Sequence, residues 1–196
     1  NTHDVEQLNK DIAFQKGSSS LRFRVGEGNI PVIEIQNEQA SARISLQGAH
    51  LLSWVPAGED EVIWLSGDAS FAAAKSVRGG IPVCWPWFGA HEDNASYPAH
   101  GFARTVCWQV TRTQQLSAGE TQITFKLDTE QLDENHKAMW PLATVAEYTL
   151  TIARTLGIEL TTLNNSEECS SIGQALQSYI NGDDLTNNTM YGLERR

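Results

Sequence analysis

The chain has 196 residues, 40% hydrophobic and 19% charged, with a formal net charge of −10. That length and balance fit one domain with a true apolar core. The acidic surplus argues against a nucleic-acid or anionic-membrane partner, which needs a basic face, and no apolar run approaches the ~20 residues of a membrane-spanning helix. The first residues, Asn1-Thr2-His3-Asp4, contain no basic or apolar leader, so a cytoplasmic location is expected. An opening Asn in place of Met points to a processed or trimmed start. Cys84, Cys107 and Cys169 are odd in number, widely spaced and without a CxxC pair. They read as free buried thiols in a reducing compartment, with a single disulfide as the alternative.

In chain order, Asp4 to Ala13 is a polar lead compatible with a helix. Leu21-Arg22-Phe23-Arg24-Val25 alternates apolar with polar, the period of a strand with one wet face. Ala40 to Trp54 and Val62 to Leu65 predict a strand pair, divided by the turn residues Pro56-Ala57-Gly58-Glu59-Asp60. Gln122 to Asp128 alternates again, and a short helix is predicted over 130–138, with Asp128 or Thr129 as N-cap and Pro141 beyond its end. Ala146, Tyr148, Leu150 and Ile152 share one face of a strand, and after Gly157 the run Ile158 to Thr161 reads as its hairpin return. Many short strands with little helix make the fold class all-β, built from antiparallel packed sheets. No repeat or linker divides the chain.

Two segments carry the chemistry: Arg78-Gly79-Gly80-Ile81-Pro82-Val83-Cys84-Trp85-Pro86-Trp87-Phe88-Gly89 and Pro98-Ala99-His100-Gly101-Phe102-Ala103-Arg104. Their glycines and prolines favour fixed loops, which build pockets. Four aromatic rings (Trp85, Trp87, Phe88, Phe102) suit the C–H faces of a sugar. The pair of arginines suits a phosphate or carboxylate, because each planar fork donates two charge-assisted hydrogen bonds at once. The same residues also read as a buried aromatic cluster with surface arginines, and on chemistry alone the two readings stand level. His91, His100 and Cys84 match no common zinc spacing, so no metal is expected.

These two segments, with Leu46-Gln47-Gly48-Ala49-His50-Leu51-Leu52-Ser53-Trp54 and Ala175-Leu176-Gln177-Ser178-Tyr179, resemble the aldose 1-epimerase superfamily. More narrowly they resemble its bacterial hexose-6-phosphate mutarotase branch, the glucose-6-phosphate 1-epimerases. The matches keep one order from about Gln47 to Leu193. The resemblance implies a large antiparallel β-sandwich, the galactose mutarotase-like supersandwich, with residues 1–196 forming one domain that makes up the N-terminal two-thirds of the family fold. It also implies an isomerase that needs no metal or organic cofactor and acts on a small-molecule sugar phosphate. In that reaction a carboxylate takes the proton of the anomeric hydroxyl while an imidazolium protonates the ring oxygen, and the opened sugar closes on its other face.

Carried over by resemblance, Arg78 and Arg104 match positions that hold the sugar phosphate, and Gln47 a polar pocket residue. His100 matches a histidine bonded to substrate near its reacting end. Tyr179 closes the Ala-Leu-x-x-Tyr motif as a further substrate contact, and Asp183 or its neighbour Asp184 matches an aspartate in a loop near the sugar. Two departures stand out. Gln177 occupies the place of the family's proton-donating histidine, and an amide has no proton to give near neutral pH. The family's base glutamate belongs to a C-terminal part that the chain is expected to lack. Two functions follow: a hexose-6-phosphate 1-epimerase, or a catalytically silent relative that binds sugar phosphate. The hexose stays open between glucose, galactose and mannose 6-phosphates.

Overall fold

A computed structural model describes residues 4–182 and 186–192. The polar lead is a helix, α1 (Val5–Asp11), whose first turn is closed by the Asp4 carboxylate accepting the Glu6 N–H at 3.0 Å. The alternating segments that follow form a five-stranded antiparallel meander: β1 (Phe14–Lys16), β2 (Ser19–Val25), β3 (Pro31–Gln36), β4 (Ala40–Ser45) and β5 (His50–Pro56). After the two-residue β6 (Val83–Cys84) come β7 (Gln109–Gln115), β8 (Thr121–Asp128), β9 (Thr144–Ile152) and β10 (Leu156–Asn164), which form a four-stranded antiparallel sheet in the order β10-β9-β8-β7. The last short strand, β11 (Ala175–Leu176), pairs back on β6.

The inward faces of the two large sheets meet and exclude water, giving the antiparallel sandwich expected. Leu21, Phe23, Ile33, Ile35 and Ile44 from the first sheet pack in one cluster with Ile123, Phe125, Tyr148, Leu150 and Ile152 from the second. Each such side chain removed from water contributes about 1.5–3 kcal/mol, which makes this face-to-face contact the main stabilising element. Buried Asn37 ties the sheets together through hydrogen bonds. Its Nδ2 donates to Thr121 Oγ1 and to the Ile152 carbonyl, both at 3.0 Å, while its Oδ1 accepts the N–H groups of Gln39 (2.8 Å) and Ala40 (2.9 Å). Among the described residues no helix is long and apolar enough to cross a membrane.

Four details differ from the sequence-based expectation. Residues 40–54 are two strands, because Gly48 (φ 81°) and Ala49 (φ 45°) take left-handed conformations that reverse the chain. The segment 62–65 makes only single bridges, Ile63 to Ile180 and Leu65 to Gly79. Glu61 accounts for this: its Oε1 accepts the N–H groups of Trp54 (2.8 Å) and Ile63 (3.0 Å), and its other oxygen accepts the Ser53 hydroxyl. The helix predicted over 130–138 splits into a 3₁₀ turn (Thr129–Gln131), capped by Asp128, and α2 (Glu134–Met139), capped by Asp133. Leu132 is extended between them, and Asp133 restarts the helix by accepting the His136 N–H at 3.0 Å. All three cysteines are free, but only Cys84 is buried; Cys107 is half-buried and Cys169 exposed.

Candidate active site

The turn between β4 and β5 organises the site, because it and the start of β5 hold the loops on both sides. Gln47 is buried. Its amide donates to the carbonyls of Ala72 (3.1 Å) and Lys75 (2.8 Å) and accepts the Ala74 N–H (2.9 Å), fixing the loop that leads to Arg78. On one side Gly48 N–H bonds Val106 O at 2.8 Å and Trp108 N–H bonds Leu46 O at 3.0 Å, fastening the segment that follows Arg104. On the other side, fully buried His50 donates from Nε2 to Gly79 O at 2.7 Å. A Cβ on Gly80, which lies at φ 70°, would land on that imidazole, so only glycine fits there. Burial is the chief cause that lowers the His50 pKa to about 4; the Gly79 bond opposes the shift and the Arg104 charge adds to it. His50 is therefore a neutral strut under the Arg78 loop.

The second motif packs over the first. Trp85 O accepts the N–H groups of Phe102 (3.1 Å) and Ala103 (3.2 Å), and Gly101 (φ 71°) leaves no room for a side chain against that carbonyl. Gly89 and His100 share two bonds: His100 N–H to Gly89 O at 2.7 Å, and Gly89 N–H to His100 Nδ1 at 3.1 Å. An accepting Nδ1 leaves the ring proton on Nε2, the atom that remains to donate. Of the four rings, Trp85, Trp87 and Phe102 belong to the core, in edge contact at centroid distances of 5.7–6.0 Å. Trp85 and Trp87 are anchored by indole bonds to Thr162 Oγ1 (3.0 Å) and Pro98 O (2.9 Å). The buried-cluster reading thus holds for three rings. Phe88 alone is exposed, at 53%, and it lies against the His100 ring at 4.8 Å.

The Ala-Leu-x-x-Tyr motif runs antiparallel to the Arg78–Cys84 loop. Ala175 pairs with Cys84 and Leu176 with Val83, after which Gln177 N–H reaches Pro82 O (3.3 Å) and Tyr179 N–H reaches Gly80 O (3.0 Å). Tyr179 also stacks on Trp64 at 5.9 Å. Backbone pairing thereby sets residues 78–84 and 175–179, about a hundred positions apart in sequence, side by side in one strip, and the Trp85–Gly101 bridge joins the 98–104 segment to its end. The charge of Arg104 is felt at Cys84 in the middle of the strip, where it opposes the upward push of burial on the thiol pKa. Arg104 Nη2 donates to Ala99 O at 3.1 Å. Among the described residues neither Arg78 nor Arg104 has a carboxylate at ion-pair distance. Asp183 and Asp184 lie outside the described residues. His91 uses Nδ1 to accept the N–H groups of Asp93 and Asn94, both at 3.2 Å, as a loop brace. The role of His50 escaped the sequence reading, although it stands inside a quoted motif; its one signal was a histidine opening an apolar strand right after a glycine turn.

The aldose 1-epimerase family model matches residues 31–194. The chain belongs to the aldose 1-epimerase family. It is 37% identical over 167 residues to the Escherichia coli (strain K12) protein named "Putative glucose-6-phosphate 1-epimerase", an alignment covering 85% of this chain and 54% of that one. The crystal structure of YeaD from Salmonella typhimurium, described as "a putative mutarotase", superposes with a TM-score of 0.66 at 31% identity over 81% of this chain and 52% of that chain. A galactose mutarotase related enzyme from Lactobacillus acidophilus shares the fold, with a TM-score of 0.61 at 20% identity over 80% of this chain and 51% of its own. The chain spans about half the length of the relatives it matches.

Proposed function

We propose that the Arg78–Arg104 strip binds a hexose 6-phosphate for interconversion of its α and β anomers, the reaction of a glucose-6-phosphate 1-epimerase. The observation that carries this reading is that neither guanidinium has a carboxylate partner among the described residues of a chain of net charge −10, while backbone pairing sets the Arg78 segment beside that of Gln177 and Tyr179. Two forks suit a phosphate dianion. The exposed Phe88 ring offers a face to the sugar, and Tyr179 supplies a hydroxyl. The names of the relatives support the same substrate class. Three unpaired thiols support a reducing, cytoplasmic setting.

Within this reading, the Gln177 amide hydrogen-bonds the ring oxygen but does not protonate it, so proton delivery falls to His100 or to solvent. Gln177 is the one residue that speaks for binding without turnover. Calorimetry should find glucose 6-phosphate bound more tightly than glucose, with most of the difference lost in Arg78→Ala or Arg104→Ala. A hydrogen bond to a charged group contributes about 1.5–3 kcal/mol, so each change should weaken binding about tenfold or more. Equal affinity for the two sugars would overturn the phosphate reading. Saturation-transfer NMR on the bound sugar then separates the two functions: anomer exchange above the buffer rate marks an epimerase, and the buffer rate with binding retained marks a binding protein.

A further inference from the structure

A second arginine cluster lies on the outer face of the five-stranded sheet, on residues that none of the motif loops contains. A cleft of about 430 Å³ is walled there by Gln15, Arg22, Arg24, Glu34, Gln36 and Arg43, with serine hydroxyls between them. Cross-strand register sets Arg22 opposite Glu34 and Glu34 opposite Arg43, so the three form one row across β2, β3 and β4. Glu34 is the one carboxylate among the lining residues, and it is taken by Arg24 Nε at 2.6 Å. Arg22 Nη2 makes only a long bond to the Gln15 amide oxygen, at 3.3 Å. Arg43 has no ion-pair partner among the described residues.

Three guanidiniums around one carboxylate leave most of their N–H donors without an acidic partner. An acidic chain that gathers three of its arginines on one concave patch has concentrated positive potential where a small anion fits. Ser20, Ser41 and the Gln36 amide add uncharged donors to the wall. We propose that this cleft binds a small phosphate-bearing anion, which bridges the Arg22 and Arg43 forks across the row that Glu34 interrupts. The overall charge of the chain disfavours a nucleic-acid strand in the same place.

Inorganic pyrophosphate is the probe. Calorimetric titration into an Arg78→Ala/Arg104→Ala background, which removes the arginines of the proposed sugar-phosphate strip, should still show binding. Adding Arg43→Gln should weaken it about tenfold or more, the loss expected for charge-assisted bonds to phosphate. Adding Glu34→Gln should tighten it, because the competing carboxylate is gone. No binding in that background, unchanged affinity in Arg43→Gln, or a Glu34→Gln variant that fails to tighten would overturn the proposal. In the unmodified chain, pyrophosphate should move the arginine side-chain NMR resonances of Arg22 and Arg43; stationary resonances at both would overturn it without any substitution.

Discussion

His50 supports the backbone of the proposed site from within the core. Buried and neutral, it holds Gly79 O and so sets the backbone that carries Arg78. Its pKa of about 4 in the folded chain lies below the ordinary 6.5, so between those values the unfolded chain binds the proton more readily. Stability therefore rises with pH across that window and is lost as pH falls from about 6.5 towards 4. At about 1.4 kcal/mol per pKa unit, His50 should cost about 2 kcal/mol of unfolding free energy between pH 7 and pH 4.5. Urea unfolding at the two pH values would measure it. His50→Gln keeps a donor near Gly79 O and should flatten the difference; an equal loss in wild type and variant would remove His50 as its source.

At the scale of elements, the site is a junction of short pieces, the β4–β5 turn, the β6–β11 ladder and the 98–104 loop, each locked by close backbone approach. Gly101→Ala tests that lock. The new Cβ would meet the Trp85 carbonyl and sit at φ 71°, so strain and overlap add to a loss of about 3 kcal/mol or more, read as a lowered midpoint in denaturant. A loss under about 1 kcal/mol would mean that the loop relaxes freely. The long alternating strands were legible in the sequence because Leu21, Phe23 and Val25, then Ile123, Phe125 and Leu127, then Ala146, Tyr148 and Leu150 recur every second residue with polar neighbours. β3 was not, since Val32 is apolar on its outer face and a proline opens it. Nor was β7, an edge strand in which Val110 is the lone fully buried residue. The motif residues were legible as a set, but not their division of labour. Spacing cannot tell that Gln47 faces the 72–75 loop, or that three of four aromatic rings are core.

The whole molecule is two sheets pressed together, and Asn37 is their hydrogen-bonded rivet at one end. Asn37→Ala strands the N–H groups of Gln39 and Ala40 and the Ile152 carbonyl. Buried polar groups left unpaired cost about 1–3 kcal/mol each when water cannot reach them, so the substitution should lower stability by about 2–4 kcal/mol. Calorimetric melting would show it, and an unchanged melting temperature would mean that water replaces the amide. The ladder between β6 and β11 is only two residue pairs long, whereas β8 and β9 share eight, so the segments that carry Arg78, Gln177 and Tyr179 are joined by the shorter and weaker ladder.

The graded burial of the three thiols turns this unevenness into something a reagent can time. Cys169 is open to solvent, whereas Cys84 is buried within β6, paired with Ala175 of β11, and its thiol is further deactivated by burial. Alkylation at Cys84 must wait for an opening event, so its rate counts how often β11 lifts away. If that strand peels off alone, Cys84 reacts far sooner than denaturant stability implies; if it leaves only with the sandwich, the two free energies coincide. The native cysteines are thus a built-in clock for the breathing of the proposed sugar site.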